Sequence, residues 1–472
     1  LRAAGYDEEA VVERLGDNGP AAEADEVPVH ARRLDDSPLA TCLRLCLLQL
    51  PVAVGDARLS LTSGGVDALI ALGLAELDGA QLRPRARIVP VEGLLMAFDG
   101  FARGADDPVG FVAPYTPTAS WLAALTPRRR AGRALDVGTG NGIHALLAAA
   151  HCDHVIATDV NQRALAFTAI NAALNELGNV ETRLGSLYEP VAGEQFDLIT
   201  CNAPYVVSPE SRWQYRDGGL PADELSHRVV EQAAAALADD GLASLLVSWV
   251  AESEHEPDER VVGWLARARC DAWVLGLEGA DPLAHAAGWN EHLAVDPQAY
   301  GAALDEWLAY FEQLGVGWIS EGAVLLHRRA GERYTIRLDS AEADELEFAG
   351  KQIERAFASH ARLAELASAD ALLDETATLA REVRIDRILQ PGQREPETVL
   401  ALEEGTHVEF ELDPDVAEVV GVLDGKLTLR QAVERVVRAF ELDKHDAAEL
   451  RSDTIAEFEE LLAFGIAELL VR

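Results

Sequence analysis

The sequence predicts an α/β protein centred on a mainly parallel sheet with helices on both faces. The first observation is a rhythm: short apolar runs (RALDV, HVIATD, VETRL, DLITCN, LASLLVSWV) alternate with Ala-rich helical segments such as HALLAAA, RALAFTAINAALNEL and HRVVEQAAAALA. Strands and helices taking turns in this way imply crossover connections and a parallel sheet. The second is size, because 472 residues with 49% apolar content can bury about three domains at roughly 100–200 residues each. The third is a change of pattern on either side of the alternating segment.

Before it, residues 1–97 carry the helical runs TCLRLCLLQL and VDALIALGLAEL and then QLRPRARIVPV, whose alternation suggests the strands of a small wing. A winged-helix-like N-terminal domain is expected there. Its helices are rich in Leu and Ala, which suits packing against a neighbouring domain or a second subunit. FDGFARGADDPVGFVAPYTPTASW, at 98–121, reads as a connector rich in Gly, Pro and Asp. The sheet domain is expected to run over 98–335. CDAWVLGL near 270 and VGWISEGAVLLHRR at 316–329 would be its closing strands, with the helical segment between them covering one rim. After it, 336–472 is expected to be an α+β accessory domain, winged-helix-like at its end, in which Thr428 caps the helix of LRQAVERVV. The spacing around VLDGKLTL resembles the small fold of peptide-chaperone proteins that hold leader peptides, against the plainer reading of a docking or dimerising module.

Eighty acidic side chains oppose 40 basic ones, a formal charge of −40, with Lys only at 351, 426 and 444. Such a surface repels phosphate backbones and disfavours a grip on long nucleic acid. The densest basic run, RRR at 128–130, is expected in a solvated loop. No apolar run approaches the ~18 residues of a membrane span. The opening LRAAGYDEEAVVERLG mixes acids into its apolar residues, unlike a signal peptide, so the cytoplasm is the expected compartment. Five cysteines without paired metal spacing read as buried thiols. His255 in ESEHEPDE reads as part of an acidic surface turn, and no metal site is expected.

LDVGTGNGIHALL sets Gly138, Gly140 and Gly142 directly after the first strand and at the start of a helix. Glycines there let the chain turn sharply and let a ligand touch the backbone. The next strand ends in Asp159, where a carboxylate can take both hydroxyls of a ribose. A dinucleotide pattern G-x-G-x-x-G would need its third glycine at 143, which is Ile143. With that glycine one place earlier, the stretch resembles motif I of the class I methyltransferases, Rossmann-like proteins that use S-adenosyl-L-methionine. The resemblance implies that Asp136, Gly138, Thr139, Gly140, Asn141 and Gly142 hold the methionine end and Asp159 the ribose. Ser186 and Leu187 of LGSLYEP would hold the adenine edge, with Val160 and Asn202 completing the cofactor set. Many relatives carry an acid where Ser186 stands. Thr116 and Thr118 of APYTPTASW either approach the cofactor or form a simple turn.

DLITCNAPYVVSPE ends the fourth strand in Asn202, Ala203, Pro204 and Tyr205. Parallel sheets bind ligands at the carboxyl ends of their strands, so this corner belongs beside the cofactor. It resembles the Asn-Pro-Pro-Tyr signature of methyltransferases acting on planar nitrogens, and its surroundings resemble the release-factor glutamine methyltransferases most. The resemblance implies that the Asn202 side-chain oxygen and the Ala203 carbonyl accept the two N–H bonds of the acceptor while Tyr205 stacks on it. Ala203 departs from the usual first proline and removes one φ restraint. Trp213 and Tyr215 of SRWQYRDGG either line the substrate pocket or pack under a loop.

The expected function is N-methylation of a protein or peptide, for example at a side-chain amide. Methylation of a nucleic-acid base, which requires the base to leave its stack, is the alternative that the charge disfavours. A non-catalytic scaffold retaining the cofactor fold is the third. A homo-oligomer is compatible with all of them.

Overall fold

The computed structural model describes residues 1–16, 23–101, 110–202, 204–210, 220–331, 334–389 and 396–470. Near the N-terminus, the helices Glu8–Leu15 and Pro38–Cys42 start where Asp7 and Ser37 accept backbone N–H bonds from Ala10 and Ala40, as good N-caps do. Val54–Ala71 follows, and strands Val52–Ala53, Gln81–Pro84 and Ala75–Asp78 form a three-stranded antiparallel sheet in that order. The run expected as one wing splits in two. Gln81–Pro84 is the middle strand of this sheet, whereas Arg87–Val91 turns back on Leu94–Phe98 as a separate hairpin.

The central sheet has eight strands: β1 Ala131–Val137, β2 Cys152–Asp159, β3 Val180–Leu184, β4 Phe196–Asn202, β5 Leu237–Ala251, β6 Asp271–Ala280, β7 Trp318–His327 and β8 Ile336–Ser340. Their order is β8-β6-β7-β5-β4-β1-β2-β3. All neighbours are parallel except β7, which runs antiparallel to both β5 and β6. The expected boundary at 335 therefore does not end the sheet, because Ile336–Ser340 pairs with β6 beyond it. The segment 98–121 is likewise not all connector. Its last residues begin helix α1, Pro117–Leu125, capped by Thr116.

Helices α2 Ile143–Ala149, α3 Gln162–Leu174, α4 Glu224–Ala236 and α5 Glu259–Leu265 follow, with α6 Pro282–Trp289 and α7 Pro297–Leu314 between β6 and β7. Alternate strand residues feed two cores, as the period-2 strand requires. Ala134, Val155, Ala157, Leu198 and Leu246 pack with α1 and α2 on one face. Leu135, Val137, Ile156, Ile199 and Cys201 pack with α4 and α5 on the other. The central strands are buried on both faces, which is why they read as continuous apolar runs. The edge strand VETRL keeps its charges exposed or half-exposed, a common protection of an unpaired edge.

The C-terminal part begins with α8, Gly350–Glu365, and continues through antiparallel strands Val383–Ile388, Glu397–Leu402 and Glu409–Leu412 to helices Pro414–Gly421, Leu429–Ala439 and Asp446–Ala463. Thr428 caps Leu429–Ala439 as expected, in a reciprocal box with Gln431. The start of α8 lies so close to the end of α1 that a Cβ on Gly350 would sit 2.3 Å from the Thr126 carbonyl oxygen. Among the described residues all five cysteines are buried free thiols, and no helix is long and apolar enough to cross a membrane. The basic run lies in a loop with Arg128 and Arg130 exposed, as expected, and Arg128 pairs with Glu92 and the half-buried Arg129 with Asp240.

The N-terminal hairpin is joined to α3 by two asparagines one helical turn apart. Asn171 accepts from the Ala97 N–H at 2.7 Å and donates to the Ala97 carbonyl at 2.8 Å. Asn175 does the same at Leu95. Each side-chain amide thus pairs with a strand residue as a neighbouring backbone would. Asn171, fully buried, also donates to the Asn141 carbonyl in the glycine turn. Asn171→Ala leaves three buried backbone groups unpaired, each costing about 1–3 kcal/mol. We expect urea denaturation to show a loss of about 3 kcal/mol or more, and a change no larger than that of a surface substitution would refute this joint.

Candidate active site

Of the described residues, those expected at the glycine turn and at the Asn202 corner lie at the carboxyl ends of β1, β2, β3 and β4. β1 and β4 are direct neighbours, with Val137 opposite Cys201, so the turn that follows Val137 and the corner that follows Cys201 leave the sheet side by side.

Asp136 sits inside this junction, 1% exposed. Its Oδ2 accepts from the Thr139 hydroxyl at 2.6 Å and the Ala145 N–H at 3.2 Å, and its Oδ1 from the Thr200 hydroxyl at 2.8 Å. One carboxylate thereby ties β1, the glycine turn, the first turn of α2 and β4. Thr139 spends its backbone N–H on the Thr158 carbonyl as well. Asn141 donates to the Ala113 carbonyl and accepts from the Ile143 N–H. The side chains of Asp136, Thr139 and Asn141 therefore shape the turn from within.

The glycines divide into two roles. Gly142 (φ 91°) meets α3, where a Cβ would stand 2.8 Å from Thr168 Cγ2. Gly138 (φ 67°) and Gly140 (φ 56°) adopt left-handed conformations, yet a Cβ at either would meet nothing within 4 Å. The turn thus presents bare backbone to open space, which suits a ligand lying against the main chain. Asp159 closes one side of it: Oδ2 accepts from the Gly140 N–H at 2.9 Å and Oδ1 from the Asn161 N–H at 2.8 Å. Each oxygen keeps a lone pair for a hydroxyl. Burial raises its carboxyl above the ordinary value. Val160, beside it, is 52% exposed, and Leu187, half-buried after β3, offers a second apolar edge near the exposed Ser186. A carboxylate for a diol, apolar edges for a flat heterocycle and an open glycine turn fit S-adenosyl-L-methionine.

At the β4 corner, Asn202 donates to the Thr118 hydroxyl at 3.4 Å, which leaves its side-chain oxygen available to an incoming N–H. Thr118 also hydrogen-bonds the Tyr205 hydroxyl and contacts Thr116 at 3.0 Å. Thr118 therefore braces the acceptor corner, while Thr116 caps α1. The Tyr205 carbonyl accepts from the Ser248 hydroxyl of β5, and Pro204 is half-buried between the two polar residues. Burial, with the carboxylates Glu321 and Glu278 adding to it, drives the Tyr205 hydroxyl far above its usual pKa, so it stays neutral. Ala203, Trp213 and Tyr215 lie outside the described residues. Sequence reasoning missed Glu278 and Glu321, although a Glu within the apolar run of β7 is a visible signal.

Burial pushes the Asp136 carboxyl up to about 6 in spite of its three donors. Since the unfolded value is about 3.9, the fold favours the neutral form; this contribution is complete below pH ~4 and is lost as pH rises through about 6. Relative to Asp136→Asn, the wild-type chain should lose up to about 3 kcal/mol of unfolding free energy between pH 4 and 7.5. Parallel denaturation curves at the two pH values test this, and a pH-independent difference contradicts it.

Residues 117–255 match the Methyltransferase small domain family, and residues 3–85 match a domain of unknown function, DUF7059. The release factor glutamine methyltransferase of Xylella fastidiosa is 44% identical over 78 residues, 16% of this chain and 28% of that protein. The ribosomal protein uL3 glutamine methyltransferase of Xanthomonas campestris is 34% identical over 187 residues, 36% of this chain and 58% of that protein. The chain thus spans between about a quarter and three fifths of these relatives' lengths. Among solved structures, Trm5b of Pyrococcus abyssi is 14% identical, covers 54% of this chain and 62% of that one, and has a TM-score of 0.32. Over residues 117–255 the chain matches the methyltransferase small domain family, and it is similar to glutamine methyltransferases.

Proposed function

We propose that this chain is an S-adenosyl-L-methionine-dependent N-methyltransferase whose acceptor is a planar side-chain nitrogen, best matched by an amide, in a protein or peptide. The observation that carries the reading is the adjacency of the open glycine turn after β1 and the Asn202–Tyr205 corner after β4. The relatives named as glutamine methyltransferases support the amide.

When bound, the cofactor supplies a methyl group on a sulfonium. Asp159 would hold its ribose hydroxyls, the backbone of Gly138–Gly140 its amino-acid end, and Val160 and Leu187 its adenine. An amide nitrogen is a poor nucleophile because its lone pair is delocalised, so the protein's task is to orient and polarise it. The Asn202 oxygen would accept one N–H of the amide, and the neutral ring of Tyr205 would hold the flat group. Thr118 fixes both Asn202 and Tyr205. An amide nitrogen that takes up a methyl group becomes acidic and can release its proton to solvent, so this chain need supply no strong base. Orientation of this kind is worth up to ~7–11 kcal/mol in well-aligned systems, with fixed dipoles adding to it.

Calorimetry with S-adenosyl-L-methionine should show binding, and Asp159→Ala should weaken it roughly a hundredfold, the worth of charge-assisted bonds to a diol. Asn202→Ala should bind the cofactor within a few-fold of wild type yet lose about 10²–10³ in kcat; an unchanged kcat would remove Asn202 from the reaction. Tritiated methyl transfer into cell lysate should give label that is lost on protease treatment and survives nuclease, whereas the reverse pattern would move the acceptor to nucleic acid.

A further inference from the structure

A cavity of about 350 Å³ opens beside the Tyr205 corner, lined by Glu278, Glu321, His285, Trp289 and Ile319 among others. Two of its lining residues, Glu321 and Glu278, stand in one row across the sheet with Ser248. Ser248 of β5, which bonds the Tyr205 carbonyl, is the register partner of Glu321 in β7, and Glu321 is the register partner of Glu278 in β6. Directly opposed residues on neighbouring strands project to the same face, so both carboxylates rise together, one strand and two strands away from Ser248.

A backbone irregularity creates this pair. Gly276 opposes Gly322, and without a shift Leu277 would oppose Glu321; a β-bulge between Gly276 and Glu278 advances β6 by one residue and brings Glu278 there instead. Bulges re-aim side chains in this way and recur beside functional sites. Like charges directly opposed across a sheet are destabilising, yet no Arg or Lys among the described residues bridges these two. Glu321 receives a hydrogen bond from Trp289, and His285 Nδ1 lies 3.8 Å from its Oε1. His285 is anchored from the other side by the Val207 carbonyl, 3.1 Å from Nε2. Its ring packs at 6.4 Å from that of Trp289, so aromatic surface borders the carboxylates.

We infer that this cavity is a subsite for a guanidinium side chain of the polypeptide substrate, next to the residue that receives the methyl group. A planar cation with a fork of donors can meet two carboxylates at once and lie against an aromatic face. A point-like ammonium uses only part of that arrangement. Burial and the neighbouring Glu278 push Glu321 up to about 7, and a cation bound against it favours its carboxylate form. The position of the subsite relative to the methyl acceptor rests on the methyltransferase reading; the cation preference does not.

The test uses the full chain with S-adenosylhomocysteine present. N-acetyl-arginine methylamide, its neutral isostere N-acetyl-citrulline methylamide and N-acetyl-lysine methylamide are titrated by calorimetry. The arginine probe should bind about tenfold or more tighter than citrulline, the difference expected of a charge-assisted pair, and tighter than lysine. Glu321→Gln and Glu278→Gln should each abolish most of that preference while S-adenosylhomocysteine affinity remains that of wild type and thermal stability is not lowered. Equal binding of arginine and citrulline, no binding of arginine, or a preference that survives the double substitution overturns the subsite, and a lysine probe as tight as arginine overturns its guanidinium character. If S-adenosylhomocysteine does not bind while the arginine preference and its loss in Glu321→Gln persist, the methyltransferase reading fails and the cation pocket stands.

Discussion

The buried carboxylate of Asp136 is the constraint on which the candidate site depends. Its three donors come from the glycine turn, the first turn of α2 and the neighbouring strand β4. A charge in this position costs desolvation, visible in the raised pKa, and is tolerated because every donor is supplied by a segment that must be held. The result is that an open backbone turn and an amide-bearing corner, distant in sequence, share one end of the sheet. Methyl transfer to a planar nitrogen needs little else from the protein beyond keeping those two features in register.

Much of this was legible in the sequence because the central strands bury both faces and therefore announce themselves as apolar runs. Gly138, Gly140 and Asp159 were legible for a related reason: left-handed turns and strand-end carboxylates are local features. What stayed hidden is tertiary. Ile336–Ser340 joins the sheet as an edge strand carrying Arg337 and Asp339, so its composition resembles a linker more than a strand. Asn171 and Asn175 look like unfavourable residues in an Ala-rich helix, and only the hairpin beside them explains their presence. Glu278 follows Leu277 in a run whose period of two would send it to the opposite face, and the bulge that reverses this has no local signature. The sequence does not reveal that the side chains of Asp136 and Thr139 bond each other across the turn, or that Thr200 of β4 joins them.

The strong acidity gains a second meaning beside the paired glutamates. A net charge of −40 produces a long-range potential that draws cations toward the surface and repels phosphate. A pocket that prefers a guanidinium would lie within such a field, so that encounter and local recognition favour the same basic polypeptides. Salt would weaken the first over roughly the 8–10 Å Debye length near physiological ionic strength and affect contacts to the mostly buried Glu321 less.

The asparagine ladder between the N-terminal hairpin and α3 has a consequence for how this molecule can be divided. One apolar core runs without interruption from Tyr6 and Leu15 through Met96 and Phe98 to Ile143 and Phe167, and Asn171 links that core to the carbonyl of Asn141 within the glycine turn. Cutting the chain to the eight-stranded sheet and its helices alone would strand unpaired amides and expose a greasy flank on the very helix that backs the glycine turn. The described residues up to Phe98 thus pack against the helix that backs the glycine turn, and a force applied to them from outside is passed to that turn.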